Sequence, residues 1–235
     1  MDLESVFNSA VTGEKQGKSV WQAEVALRLS FLRKVYGILT AQLGLTVLVV
    51  VICLSVPQIR EFVHASPLLG LVLVVGALVS LFALLAMRHQ TPANYYLLAT
   101  FTFLEGLSVG VVVTHYDLDL VVKAFVITTG VFLALTAYTM QSKYDFSTWG
   151  ASLFALLWVL LLASLLQIFF WSEALEFVIS VGGALLFCGF ILFDTHLIMH
   201  KLSPEEYVMA SVNLYLDFIN LFIYILRILQ HFRRD

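Results

Sequence analysis

Two aspartates lie inside long apolar runs near the C-terminal end of the chain, Asp194 in LLFCGFILFDTHLIMH and Asp217 in NLYLDFINLFIYIL. A carboxylate at the centre of a bilayer costs about 2.5–3.5 kcal/mol on insertion scales, so acids at such depth face a bundle interior and mark ion or proton pathways. Asp194 stands nine positions before Ser203 and Asp217 fourteen after it. Two antiparallel helices joined near that serine would therefore bring the carboxyls together, offset by about one turn. Two carboxylates in a low-dielectric site do not both ionise cheaply; they share one proton and titrate as a pair. When that proton leaves, repulsion parts the helices, and the freed oxygens are hard ligands suited to a transient Ca2+. The bland alternative is a pair of acids held inert by Asn213, Asn220 or Thr195.

Other polar residues within or beside apolar runs are candidates for the same pathway. Asn213, Asp217, Asn220 and Tyr224 fall at i, i+4, i+7 and i+11, one stripe of a helix that is otherwise Leu, Ile, Phe and Val. Glu105, in the middle of its run, is a candidate for the polar interior or a satisfied structural acid. Arg88, at the end of another run, either reaches inward to the aspartates or snorkels as an anchor. Glu176 and Glu205 stand near helix ends where they would concentrate cations at pore mouths, although capping alone accounts for an acid at Glu205. His196 and His200, near a membrane edge, are pH sensors or ordinary interfacial histidines.

The elements that must position these groups are membrane spans. Of 235 residues 60% are hydrophobic and 12% charged, against about 45–50% and about 25% in soluble domains. Runs of the roughly 20 residues that cross a hydrocarbon core predict helices over 35–56, 68–87, 94–113, 120–140, 148–170, 177–199 and 205–230. Gln58 to Pro67 reads as a short loop. Residues 1–32 read as a polar arm, interrupted by Gly13 and Gly17, with a short amphipathic piece from Trp21 to Leu32; residues 33–235 form one membrane domain. Open sheet edges are not tolerated in lipid, so the fold class is an all-α integral membrane protein. The expected form is a seven-helix bundle, with the polar-striped last helix central and six helices surrounding it. Ser203, Pro204 and Glu206 read as a capping box, with the serine hydroxyl accepting from the Glu206 amide.

Arg33, Lys34, Arg88, Lys143 and Lys201 flank alternate loops, and Glu61, Asp117, Asp119, Glu173 and Glu176 the opposite ones. The positive-inside rule puts the first set, and the N-terminus, in the cytoplasm. Arg233 and Arg234 break the pattern: the last helix either crosses fully or turns back as a re-entrant segment. A net charge of -3 with no basic patch argues against nucleic-acid binding. Cys53 and Cys188, both within apolar runs, suggest no disulfide framework and no metal spacing. No Ser/His/Asp triad, Walker loop, GxGxxG or HExxH is present. An aspartic intramembrane protease would need GxGD, whereas Asp217 follows Asn213, Leu214, Tyr215 and Leu216. The chain therefore reads as a non-enzyme without a cofactor, its partners being lipid, protons and cations.

The segments GALLFCGFILFDTHLIMHKLSPEEYV, NLYLDFINLF, FLRKVYGIL, AFVITTGVF and YTMQSKYDFS resemble the transmembrane Bax inhibitor motif family, and within it the Golgi anti-apoptotic and lifeguard branch. The resemblance covers about Leu27 to Arg227. It implies a pH-sensitive, Ca2+-permeable leak of Golgi or endoplasmic reticulum membranes that lowers store calcium and suppresses apoptosis. The gating aspartates would correspond to Asp194 and Asp217, and a second-helix arginine touching them to Arg88. The same residues would also serve a Ca2+/H+ exchanger, and a non-conducting regulatory scaffold is a third reading.

Overall fold

The computed structural model describes the backbone of residues 3–170 and 172–234 and the side chains of 27–170 and 172–233. Among the described residues eight α-helices follow one another: α1 (Leu3–Ser55), α2 (Pro57–Ala65), α3 (Leu69–Ala86), α4 (Ala93–Val113), α5 (Leu118–Gln141), α6 (Gly150–Phe169), α7 (Glu173–His200) and α8 (Tyr207–Arg234). All but α2 contain a stretch long and apolar enough to cross a membrane.

The expected break between arm and first span is absent. The backbone of α1 is helical from Leu3, through Gly13 and Gly17, and among the described residues Leu27–Ser55 holds the stretch apolar enough to span. Side chains before Leu27, including half of the predicted amphipathic piece, lie outside the described residues. The expected loop after the first span is a helix instead. Pro57 forces the preceding Val56 into an extended conformation (φ -102°, ψ 105°), which ends α1, and then opens α2, where its missing N–H costs nothing. The cap before α8 also differs: Ser203 Oγ accepts from the Glu205 amide at 3.4 Å, while the Glu206 amide bonds the Ser203 carbonyl at 3.0 Å. Pro204–Glu206 form a 3-10 turn, and α8 starts at Tyr207.

Helix α8 runs through the middle of the bundle. Its starting end is held by Tyr95 Oη to Tyr207 Oη at 2.8 Å and by Lys34 Nζ, 5.2 Å from the Tyr207 ring. Nearby, Arg28 Nη1 donates to the carbonyls of Ile198 (3.3 Å) and Leu202 (3.0 Å) at the end of α7. At the far end Arg233 Nη1 meets Asp117 Oδ2 at 2.5 Å. Twenty-eight helical residues reach about 42 Å, more than the about 30 Å of a hydrocarbon core. The last helix is therefore one unbroken helix long enough to cross fully.

The surrounding ring is uneven. Helix α8 packs closely against α7, α5 and α1 and touches α4 only sparsely, whereas α3 packs on α4 and α6 on α7. Between Met209 and Arg227 the incompletely buried residues of α8 are Met209, Asn213, Leu216, Asn220, Ile223, Tyr224 and Arg227. They share one side of the helix.

Candidate proton and cation site

Asp194 on α7 and Asp217 on α8 are brought together. They are 7% and 5% exposed, and their carboxyls lie within hydrogen-bonding reach of each other. Antiparallel α7 and α8 approach closely because Gly183 lies flat against Tyr224: a Cβ there would come within 2.6 Å of the ring. Tyr224 stacks on Phe187 (5.9 Å between centroids, 22°) and closes the α7–α8 seam on one side of the acids. Asp217 Oδ2 has no hydrogen-bond partner.

None of the residues that would hold the pair inert does so. Asn220 Nδ2 donates to the Leu216 carbonyl at 2.8 Å, Asn213 is exposed, and Thr195 Oγ1 has no hydrogen bond. The Thr195 hydroxyl instead faces those of Tyr36 on α1 and Thr136 on α5, none of the three in good hydrogen-bond geometry. The sequence reading missed this hydroxyl cluster. Its signal was of the same kind as the aspartates, single polar groups in apolar runs, but Tyr and Thr are tolerated in lipid too readily to stand out.

Arg88 does not join the pair. It lies exposed in the turn after α3, with Nε donating to His89 Nε2 at 3.0 Å, and α3 packs on α4, away from α7 and α8. Glu105 is half-buried on α4, beside Tyr215 of α8. Glu176 and Glu205 occupy opposite ends of the bundle. Glu176 lines a small polar pocket with Ser180, Arg227, Gln230 and His231, and Glu205 is exposed in the turn before α8.

Just beyond Asp194, buried His196 joins its Nε2 to Asp145 Oδ1 at 2.9 Å, and its ring centroid lies 4.7 Å from that of His200. Hydrogen bonds from the Ser147 hydroxyl (2.6 Å) and amide (2.9 Å) hold the Asp145 carboxyl below the usual aspartate range. The α5–α6 connection is thus clasped to α7 by an anion and an imidazole, a pairing that sequence spacing did not suggest.

The family model described as "Bax1-I: Inhibitor of apoptosis-promoting Bax1" matches residues 28–234. The chain belongs to the Bax inhibitor family. It is 53% identical to mouse "Protein lifeguard 4" over 214 residues, 91% of this chain and 90% of the relative. Identity to the "Golgi anti-apoptotic protein" of vaccinia virus (strain Lister) is 52% over 214 residues, with the same coverage. Fission yeast (Schizosaccharomyces pombe) "Bax inhibitor 1" is 45% identical over 225 residues, covering 94% of this chain and 84% of the relative. In this Bax inhibitor family member, the matched region takes in every helix that touches α8 and both buried aspartates.

Proposed function

We propose that this protein is a passive, Ca2+-permeable leak of an internal membrane, gated by a proton shared between Asp194 and Asp217. It lowers the calcium content of the store and so restrains apoptosis. The observation that carries the reading is the meeting of two buried carboxyls with no cationic side chain beside them among the described residues. Such a pair is stable with one proton between its members. Without that proton it needs a cation, and the oxygens of Asp217 and Asp194 would supply hard ligands.

The Golgi is the proposed compartment, since a relative carries it in its name, with the endoplasmic reticulum as the alternative store. The N-terminus faces the cytoplasm, a placement that the cation distribution supports, and the opposite ends of the bundle at Glu176 and Glu205 serve as mouths.

Purified protein in liposomes tests the reading. Ca2+ should flow down its gradient, with a rate set by pH, and an imposed pH gradient should not drive it uphill. Uphill transport would make the protein a Ca2+/H+ exchanger working through the same pair. No flux in either condition would leave a regulatory scaffold.

A further inference from the structure

A groove of about 700 Å³ runs along the outside of the bundle between α1 and α5. Val47 and Val51 of α1 form one wall, Val122 and Phe125 of α5 the other, and Phe218 and Phe222 of α8 the floor. The walls open outward, with Val51 and Val122 each 53% exposed, whereas the floor is buried. Phe218 meets Phe125 (6.0 Å, 65°) and Phe132 (5.5 Å, 71°) edge to face, which holds α5 against α8 at this level. Among the described residues of the lining only Thr46 is polar, and it is engaged. Its hydroxyl donates to the Gln42 carbonyl at 3.0 Å, so the Tyr215 hydroxyl, 2.8 Å away, donates to Thr46. Water in the groove would find no free polar partner.

The dimensions fit one leaflet. On α1 the groove reaches from Leu43 to Leu54, about 16 Å at 1.5 Å per residue, and half of a hydrocarbon core is about 15 Å. Leu54 stands next to last in α1 and Leu118 first in α5, so this end opens at the membrane surface and the other stops near mid-membrane. Volume over length gives a mean section of about 40 Å². A second helix, about 10–12 Å across, needs at least about twice that, whereas one extended hydrocarbon tail fits at van der Waals spacing. The mouth carries matched charges. Beside Leu118, Asp117 pairs with Arg233 and Asp119 with Lys123, all four side chains more than half exposed. Two carboxylates and two cations leave the mouth without net charge and offer a phosphate and an amine each an opposite partner.

We infer that the α1–α5 groove binds one acyl tail of a zwitterionic phospholipid, whose headgroup rests on the Asp117–Arg233 and Asp119–Lys123 pairs. Hydrocarbon elsewhere in a bilayer is as apolar as the groove, so the tail is retained by contacts on three sides and by its headgroup. It lies against the turn of α8 that carries Asp217, because Phe218 is part of the floor. The inference goes beyond the leak reading and does not depend on it. The full chain in phosphatidylcholine nanodiscs with a trace of lipid carrying a photoreactive tail tests it. Adducts are mapped by mass spectrometry, with the exposed faces of α3 (Val72, Val79) and α6 (Leu162, Leu165) as the measure of ordinary surrounding lipid. A phosphatidylcholine probe should label Val51 and Val122 several times more than those faces. A phosphatidylglycerol probe or a photoreactive sterol should label the groove no more than the faces. V122W and V51W, each at an exposed wall position, should bring groove labelling down to the level of the faces, and V79W should leave it unchanged. D117N/D119N, which leaves two cations at the mouth, should raise groove labelling by phosphatidylglycerol above the faces. Equal labelling of groove and faces by phosphatidylcholine overturns the inference, as does a groove that prefers the sterol or labelling that both tryptophan variants leave in place. An unchanged preference in D117N/D119N overturns the headgroup assignment.

Discussion

Arg233 at the end of α8 reaches Asp117 in the α4–α5 connection, Nη1 to Oδ2 at 2.5 Å. The pair puts the end of the chain beside a connection that lies at the opposite end of the bundle from Arg28 and Lys34. N-terminal and C-terminal epitope tags should therefore be cleaved from opposite faces of sealed vesicles. Cleavage of both from one face would refute the full crossing. Both side chains are more than half exposed, so breaking the pair with Asp117→Asn should cost no more than about 1 kcal/mol and leave the topology unchanged.

Asp194 and Asp217 share one hydrogen-bonding site. Asp194→Asn and Asp217→Asn should each abolish the pH dependence of Ca2+ flux, because an amide cannot lose the proton that joins the helices. Stopped-flow dye measurements across a pH series check this. A pH dependence unchanged in both variants would remove the pair from gating.

Gly183 gives Tyr224 its place against α7. Gly183→Ala should cost about 1–3 kcal/mol through overpacking, seen as a lower thermal midpoint in detergent. The cost should shrink when Tyr224→Ala is added, so a double-mutant cycle should give a coupling of about 0.5–3 kcal/mol. Additive losses would mean that the two residues do not press on each other.

His64 and His115 stack at 4.6 Å with an 8° interplanar angle, and Arg60 Nη2 donates to the Thr114 carbonyl at 3.2 Å. Partial burial, His64 and Arg60 hold the His115 imidazole below the usual histidine range. The unfolded segment thus takes a proton more readily than the folded one. The docking of α2 on this connection should be complete above the ordinary histidine value, about 6.5, and weaken as pH falls from there towards the lowered one. Hydrogen exchange of the α2 amides from neutral to mildly acidic pH measures it. His115→Gln should flatten the response.

Span number and type were legible because seven runs meet the length and apolarity that lipid demands. The buried aspartates were legible because an acid in such a run has few tolerable environments. The helical backbone before residue 35 was hidden, since polarity says where a helix leaves the apolar layer and not where its backbone starts. Helix α2 was hidden for a related reason: Pro57 was read as a terminator, and the same residue is also a good first residue of the next helix.

The sequence by itself determined the membrane class, the seven spans, the polar stripe around Asp217 and the two acids that lipid would not tolerate exposed. All are properties of a residue and its near neighbours along one chain. Tertiary structure decided which spans touch. It placed α3 behind α4, which keeps Arg88 from the aspartates, and left the Asn213–Asn220 side of α8 incompletely covered. It also carried α8 across to Asp117. Apolar helices offer many equivalent faces to one another in lipid, and the choice among them rests on close contacts, such as Gly183 on Tyr224 and Gly106 on Thr46, that no single run encodes.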